Sequence, residues 1–167
     1  MSQSELLEKV FHQCFFAREL TRLQGEAAEP YYQPWSQSAD GIAVVWYRAD
    51  YEASALHEIA HWCIAGRARR RLMDYGYWYE GDGRDQAAQR RFLQVEARPQ
   101  ALESLFHQAW GSTFHCSLDN LNGDHGDEQA FAKAVSQERQ ALLNHGLPPR
   151  AARFIQALRN RRQQEEC

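Results

Sequence analysis

Apolar residues recur at intervals of three and four along most of this chain, a spacing typical of amphipathic helices packed on a core. The first such stretch opens with a capping-box pattern at Ser2 and Glu5, and its predicted end is Gly25. Residues 42–47, with the sequence IAVVWY, form the best predicted strand because they are β-branched and aromatic. The sequence therefore predicts an α+β fold, mainly helical, with a small β-sheet.

Further helices are predicted from the cap Asp50 to about residue 65, from about residue 85 onwards, over residues 128–144, and over residues 149–163. Pro99 is predicted either to interrupt the third helix or to begin the next one. Two segments are predicted to be irregular. They are the loop over residues 29–41 and residues 111–121, which include a short strand.

The composition limits the classes to which the protein can belong. At 167 residues, the length fits one domain spanning residues 1–167. No apolar run approaches the ~18 residues of a membrane span, and a net charge of −3 argues against a dedicated nucleic-acid binder. The start of the chain lacks the pattern of a secretory signal, and the four cysteines are scattered. We therefore expect a reduced cytoplasmic protein that binds neither membrane nor nucleic acid.

The clearest chemistry lies in the second predicted helix, where His57, Glu58 and His61 form the motif H-E-x-x-H. Four residues advance a helix by ~400°, so both imidazoles lie on one face and can bind one metal ion, as in a zincin-like metal helix. A chance match is expected only roughly 0.02 times in a chain of this composition. The motif therefore predicts a metal site, with Glu58 beside the ion.

Two histidines require a third protein ligand, and Glu96 is the preferred candidate because its neighbours are apolar. An ion pair of Glu96 with Arg98 or Arg67 is the alternative interpretation. The other candidates for the third ligand are Asp82, Asp85, His107, His115 and Asp119. Two histidines and one carboxylate suit a zinc hydrolase with Glu58 as general base, and equally a non-haem Fe(II) oxygenase.

A loop rich in aromatic residues follows the metal helix. Its predicted substrate-binding residues are Tyr75, Tyr77, Trp78, Tyr79, Asp82 and Arg84. Core packing is the alternative for the aromatic residues, and an ion pair with Arg84 is the alternative for Asp82.

Arginine supplies 17 of the 19 basic residues, and two clusters stand out. The first consists of Arg67, Arg69, Arg70 and Arg71, and the second of Arg150, Arg153, Arg159, Arg161 and Arg162. Both are interpreted either as solvated faces or as docking surfaces for an acidic macromolecule, since arginine binds carboxylates and phosphates in bidentate fashion.

Several segments together resemble the elongation factor P hydroxylase family over nearly the whole chain. They are, in order, ALHEIAHWCIAG, ARRRLMDYGYWY, VEARPQALESLF, DNLNGD and ARFIQALRN. The resemblance implies a cytoplasmic enzyme that hydroxylates elongation factor P. Its target would be the lysine that already carries a β-lysyl group, with the hydroxyl placed on the original lysine as the last step of that modification.

The resemblance also implies a metal site at His57, His61 and Glu96, with Fe(II) as the expected ion, O₂ as co-substrate and Glu58 alongside. The 2-oxoglutarate oxygenases place their metal ligands on a double-stranded β-helix, and this chain is too helical for that fold, so no 2-oxoglutarate site is expected. An acidic elongation factor P would suit the arginine clusters, and its cationic lysyl-lysine arm would suit the aromatic loop. Two alternatives remain at this point: a zinc metallopeptidase or other metallohydrolase, and a non-catalytic metal-stabilised module that binds a protein through its arginines.

Overall fold

Helices and one three-stranded sheet make up the described part of the chain, which covers residues 1–77, 86–116 and 125–167 of a computed structural model. The helices are α1 (Gln3–Glu19), α2 (Glu52–Ile64), α3 (Gln86–Trp110), α4 (His125–His145) and α5 (Pro149–Glu166). The strands are β1 (Thr21–Ala27), β2 (Tyr31–Gln33) and β3 (Ala43–Arg48). The predicted mainly helical fold with a small sheet is confirmed. None of the described helices is both long and apolar enough to span a lipid bilayer.

The sheet is built around β3, which pairs in parallel with β1 and antiparallel with β2. Val44 and Val45 of β3 are almost completely buried, as expected for the central strand of a small sheet covered by helices. The chain leaves β3 and enters α2 after a short turn, so the sheet fixes where α2 begins.

The predicted extension of the first helix to Gly25 is wrong. The capping box of Ser2 and Glu5 is present, but α1 ends at Glu19, where Leu20 adopts a left-handed conformation with φ 47°. The following residues form β1, because they pair with β3 from Thr21 opposite Ala43 onwards. Gly25 serves close packing within this strand, since a Cβ atom there would lie 2.6 Å from the carbonyl oxygen of Ala49.

The predicted loop over residues 29–41 is also partly wrong, because it contains β2 and a 3₁₀ turn at Trp35–Gln37. Tyr32 of β2 lies opposite Val45 and is fully buried. Its backbone N–H donates to Asp74 Oδ1 at 2.8 Å, and its hydroxyl donates to the carbonyl oxygen of Arg70 at 2.6 Å. Tyr32 thereby fixes the segment that follows α2.

Two further boundaries differ from the prediction. Asp50 does not cap α2, because Tyr51 occupies the N-cap position without a side-chain bond. Pro99 lies inside the continuous helix α3, where buried neighbours such as Ala97 and Leu102 pack on both sides of it. This packing outweighs the lost backbone hydrogen bond, which costs about 3 kcal/mol in an exposed helix. Residues 111–116 contain no strand, and the rest of that predicted segment lies outside the described residues.

Aromatic rings at the centre of the fold join α1, α2, α3 and α5. Trp62 packs against Phe11 and Phe15, with ring centroids 5.1 and 4.8 Å apart. Phe154 of α5 meets Phe106 of α3 edge to face, with centroids 5.0 Å apart. One side of α2 therefore packs against α1 and α5, and its histidine face is turned towards α3.

Arg150 completes the C-terminus of α2 from the first turn of α5. Its guanidinium donates to the carbonyl oxygens of Trp62, Cys63 and Ala65, at 2.7, 3.3 and 2.5 Å. The same group lies 4.4 Å from the centroid of the Trp62 ring. These carbonyls lack partners within the helix, so Arg150 is a structural cap and neither a solvated nor a docking residue.

Replacement of Arg150 by methionine is expected to lower the free energy of unfolding by about 2 kcal/mol, because the helix-end carbonyls and the indole lose a cationic partner. Urea denaturation followed by circular dichroism measures the difference. Arg153→Met is the matched control, since Arg153 is exposed on the same helix and should change stability by less than about 0.5 kcal/mol. Equal stability of the two variants would contradict the capping role.

Candidate metal centre

His57 and His61 lie one turn apart on the face of α2 that looks towards α3. Their Nε2 atoms are 3.1 Å apart, and the two rings meet at 68°. The opposite face of the helix carries Leu56, Ile59 and Ala60, which are fully buried. The exposed fraction of the His57 side chain is 25% and that of His61 is 11%, so the pair borders solvent on the side of His57.

Glu96 reaches this pair from α3. Its carboxylate oxygens lie 3.1 Å from His61 Nε2 and 3.5 Å from His57 Nε2. Two ligands that bind one ion at about 2.1 Å lie about 3.0 Å apart at a right angle and about 3.4 Å apart at the tetrahedral angle. The three separations therefore fit one metal ion, and among the described residues this trio is the group able to hold one. Within the described chain, Glu96 forms no ion pair with Arg98 or Arg67.

The electrostatics of the trio favour a positive charge between its members. Burial would raise the pKa of Glu96, but His61 and His57 lower it to about 2. Burial would lower the pKa of His57, but its hydrogen bond to Glu103 and the surrounding carboxylates raise it to about 9. A buried carboxylate that stays ionised beside two imidazoles is the charge arrangement that a divalent cation needs.

Glu103 binds His57 through Nδ1, the ring nitrogen that does not face Glu96. Its Oε1 lies 2.7 Å from His57 Nδ1, and its Oε2 lies 3.1 Å from Nε2 of His107. Nδ1 of His107 is in turn 2.6 Å from the hydroxyl of Ser112. Because an ionised carboxylate only accepts, Nδ1 of His57 is the donor, and this leaves Nε2 of His57 free to bind a metal.

Sequence reasoning missed Glu103, although its signal was present. Glu96, Gln100, Glu103 and His107 follow one another at helical spacing, and all four are buried, with exposed fractions of 7% or less. The other buried side chains of α3 are apolar, so a buried polar stripe among them requires polar partners. These partners include His57 and His61 of α2 and, for His107, Ser112. His107, one of the candidates for the third ligand, contacts Glu103 rather than the trio.

The remaining candidates for the third ligand lie elsewhere. His115 is exposed at the end of the segment that follows α3. Asp82, Asp85 and Asp119 lie outside the described residues.

Glu58 lies beside the trio and is partly buried. Burial raises the pKa of Glu58, while the charges of His57 and His61 oppose this rise and that of Glu96 adds to it. Glu58 is not part of the ligand trio itself. The charges of all three ligands act on its carboxylate, so Glu58 lies close to the trio. Because it is not itself one of the ligands, its carboxylate is free to exchange a proton.

Comparison with known proteins identifies the family. The sequence matches the family described as elongation factor P hydroxylase over residues 10–167. The chain belongs to the elongation factor P hydroxylase family. It is also 46% identical, over 149 residues, to the elongation factor P lysine hydroxylase of Haemophilus influenzae; the alignment covers 89% of this chain and 83% of that relative. The resemblance seen in the sequence motifs is thereby confirmed.

In this member of the elongation factor P hydroxylase family, only part of the aromatic loop is described. Tyr75 is buried and stacks on Tyr32, with ring centroids 4.4 Å apart, and its hydroxyl forms no hydrogen bond to another described residue. Tyr77 is partly buried beneath the guanidinium of Arg69, 4.2 Å from the ring centroid. The other predicted substrate-binding residues, Trp78, Tyr79, Asp82 and Arg84, lie outside the described residues.

The first arginine cluster divides into members whose side chains contact other parts of the fold and members for which no such contact is seen among the described residues. Arg69 donates to the carbonyl oxygen of Tyr75 at 3.0 Å, and Arg70 pairs with Glu19 at 3.1 Å. Arg67 and Arg71 are exposed to solvent. In the second cluster, Arg161 and Arg162 form exposed pairs with glutamates one turn later on α5.

Proposed function

We propose that the protein hydroxylates a lysine side chain of elongation factor P in a metal-dependent reaction. The observation that carries the proposal is the 46% identity to an elongation factor P lysine hydroxylase over most of both chains. The trio of His57, His61 and Glu96 supports it, since two histidines and one carboxylate are the donor set of non-haem Fe(II) oxygenases. The proposed target is the lysine that carries the β-lysyl group, modified on the original lysine in the cytoplasm.

His57, His61 and Glu96 are the proposed ligands of one divalent metal ion, Fe(II) in the cell, on an H-E-x-x-H helix of zincin type. When bound, this ion would supply the chemistry of O₂ activation. Glu103 fixes the ring of His57 in the orientation that directs Nε2 at the site. The partly exposed edge of His57 gives the target side chain a route from solvent to the site.

Glu58 is the proposed catalytic residue beside the ligands, where its carboxylate takes up and returns a proton during the reaction. The proposed substrate-binding residues are Tyr75, Tyr77, Trp78, Tyr79, Asp82 and Arg84. Aromatic faces exposed by the loop would attract the cationic lysyl-lysine arm by cation–π contact, while the buried Tyr75 would support the loop from the core. Asp82 would add a negative charge that attracts the ammonium group.

Incubation of Fe(II)-loaded protein with β-lysylated elongation factor P, O₂ and a two-electron reductant is expected to add one oxygen atom to the modified lysine, as measured by mass spectrometry. The second oxygen atom of O₂ leaves as water. Glu58→Gln should retain the metal and lower the rate by about 100-fold or more, because it removes proton transfer while keeping the size of the side chain. Glu29→Gln, at an exposed position, is the control and should match the unmodified protein.

Other outcomes of this experiment separate the alternatives. Cleavage of elongation factor P would favour a zinc metallopeptidase, which H-E-x-x-H suggests by itself. An unchanged mass with Fe(II)-loaded protein, O₂ and reductant would favour a non-catalytic binding module. Retention of full activity by Glu58→Gln would remove Glu58 from the catalytic machinery.

A further inference from the structure

A basic groove of about 490 Å³ opens on the surface where the end of α1 meets the segment after α2. We define it by its charged and aromatic lining. These residues are Arg18, Glu19, Trp35, Arg67, Arg70 and Arg71. None of them belongs to the metal centre. The groove joins residues of the first arginine cluster to Arg18, which is distant from them in sequence, so the fold creates a positive site that no single segment contains.

The charges of the groove are unbalanced. Its one carboxylate, on Glu19, is already paired with Arg70, whose side chain is only 13% exposed. Arg18, Arg67 and Arg71 are exposed, and none of the three forms an ion pair with another described residue. Three cations that have no ion-pair partner among the described residues therefore border one groove, in a chain whose net charge is −3. An anionic partner would relieve their mutual repulsion.

The chemistry of the lining favours a peptide carrying carboxylates. Arginine guanidinium groups bind carboxylates with two parallel hydrogen bonds, which suits Asp and Glu side chains. Trp35 and the half-exposed Leu20 add apolar surface to the same groove, as expected where a peptide docks. A nucleic acid would need a longer basic track and a basic protein, and the overall charge is acidic.

A hydrogen bond and a ring stack connect the groove to the start of the aromatic loop. Arg70 lies in the segment after α2, and its carbonyl accepts the hydrogen bond from the hydroxyl of Tyr32 at 2.6 Å. Tyr32 also stacks on Tyr75, at the other end of the same segment. A partner held in the groove is therefore held in a fixed position relative to the start of the aromatic loop.

We propose that this groove docks an acidic segment of the protein substrate, away from the lysine that is modified. The proposal rests on the proposed function in one respect, namely that the substrate is elongation factor P. It reduces the first arginine cluster to Arg67 and Arg71 as docking residues and adds Arg18 from α1. Arg69 and Arg70 are positioned by contacts within the fold and hold the groove in shape.

The test compares two double charge reversals. Arg67→Glu with Arg71→Glu changes the groove, whereas Arg153→Glu with Arg159→Glu makes the same change in charge at exposed positions on α5. Binding of β-lysylated elongation factor P is measured by fluorescence anisotropy. KM and kcat are measured with two substrates, which are intact β-lysylated elongation factor P and a short peptide bearing the modified lysine. Binding does not require turnover, so it tests the groove even if no oxygen is added.

The groove variant is expected to weaken binding and raise KM for the whole protein at least about tenfold, since each reversal turns attraction into repulsion. Its kcat, its metal content and its KM for the peptide should change less than about twofold, and the α5 variant should match the unmodified protein. The affinity of the unmodified protein for β-lysylated elongation factor P should fall as the salt concentration rises, and the affinity of the groove variant should fall less.

Equal binding by the groove variant and the unmodified protein would overturn the docking site, as would weakened binding in the α5 variant alone. Loss of kcat on the peptide would show a structural effect instead. Tight binding of a single-stranded oligonucleotide that the groove variant abolishes, with unchanged KM for the protein, would assign the groove to nucleic acid. Failure of the unmodified protein to hydroxylate either substrate would refute the proposed function and leave the anisotropy result to decide on the groove.

Discussion

Replacement of Glu96 by alanine is expected to abolish metal retention and hydroxylation together. The carboxylate supplies the α3 side of the trio, 3.1 Å from His61 and 3.5 Å from His57. Removal leaves two imidazoles on one helix, which cannot enclose an ion. Loss of groups that merely orient ligands already costs 10–100-fold in metal affinity, so loss of a ligand should cost more than about 100-fold. Competition of Fe(II), Co(II) or Zn(II) with a chelator measures the affinity.

The matched control for this experiment is Glu29→Ala, which removes an exposed carboxylate and should leave metal affinity unchanged. Circular dichroism of both variants checks that the fold is retained. Full metal occupancy in Glu96→Ala would refute the assignment of Glu96 as a ligand and would return Asp82, Asp85 and Asp119 to consideration.

Replacement of Glu103 by alanine is expected to lower metal affinity by about 10–100-fold without removing a ligand. Its carboxylate lies 2.7 Å from His57 Nδ1 and accepts the Nδ1 proton, which makes Nε2 the nitrogen that binds the metal when its own proton is displaced. Without it, the ring of His57 loses its orientation and its partner. The chelator competition used for Glu96 measures the effect, and NMR of the imidazole nitrogens of His57 reports the tautomer directly.

Glu103→Gln separates positioning from packing. Glutamine keeps the size of the side chain and an oxygen that accepts from His57 Nδ1, so it should restore most of the affinity, to within about tenfold of the unmodified protein. Ser104→Ala, on the same helix, is the control and should leave the metal affinity unchanged. Equal losses in Glu103→Gln and Glu103→Ala, with matching losses of stability, would mean that Glu103 only fills space.

The parts of the fold that depend on local signals were predictable. The capping box at Ser2 and the H-E-x-x-H spacing specify helices through neighbours three and four residues apart. The strand β1 was not predictable in this way, because its partner is β3 and the pairing joins Thr21 to Ala43. The need for glycine at position 25 was not predictable from local sequence either, since the atoms that exclude a side chain there belong to Tyr47 and Ala49. Non-local pairing overrides a local helical pattern.

The candidate site shows the same division. The spacing of His57 and His61 places both on one face, and the apolar setting of Glu96 suggested a buried partner. The contact between them depends on how α2 packs against α3, which no local pattern contains. Arg150 belongs to a run of arginines that looks like a solvated face, yet it is half-buried at the end of α2. Charge patterns alone do not distinguish a cap from a docking residue.

The cap on α2 bears on the order in which the nascent chain matures. The residues of the metal trio precede Arg150 in the chain. Arg150 lies 88 positions after Trp62, whose carbonyl oxygen it caps. At about 5–20 residues per second, ribosomes need roughly 4–18 s to add that length. During this interval the C-terminal end of the metal helix lacks its guanidinium. Metal acquired early would therefore bind a helix that is still frayed, and firm retention would follow the docking of α5.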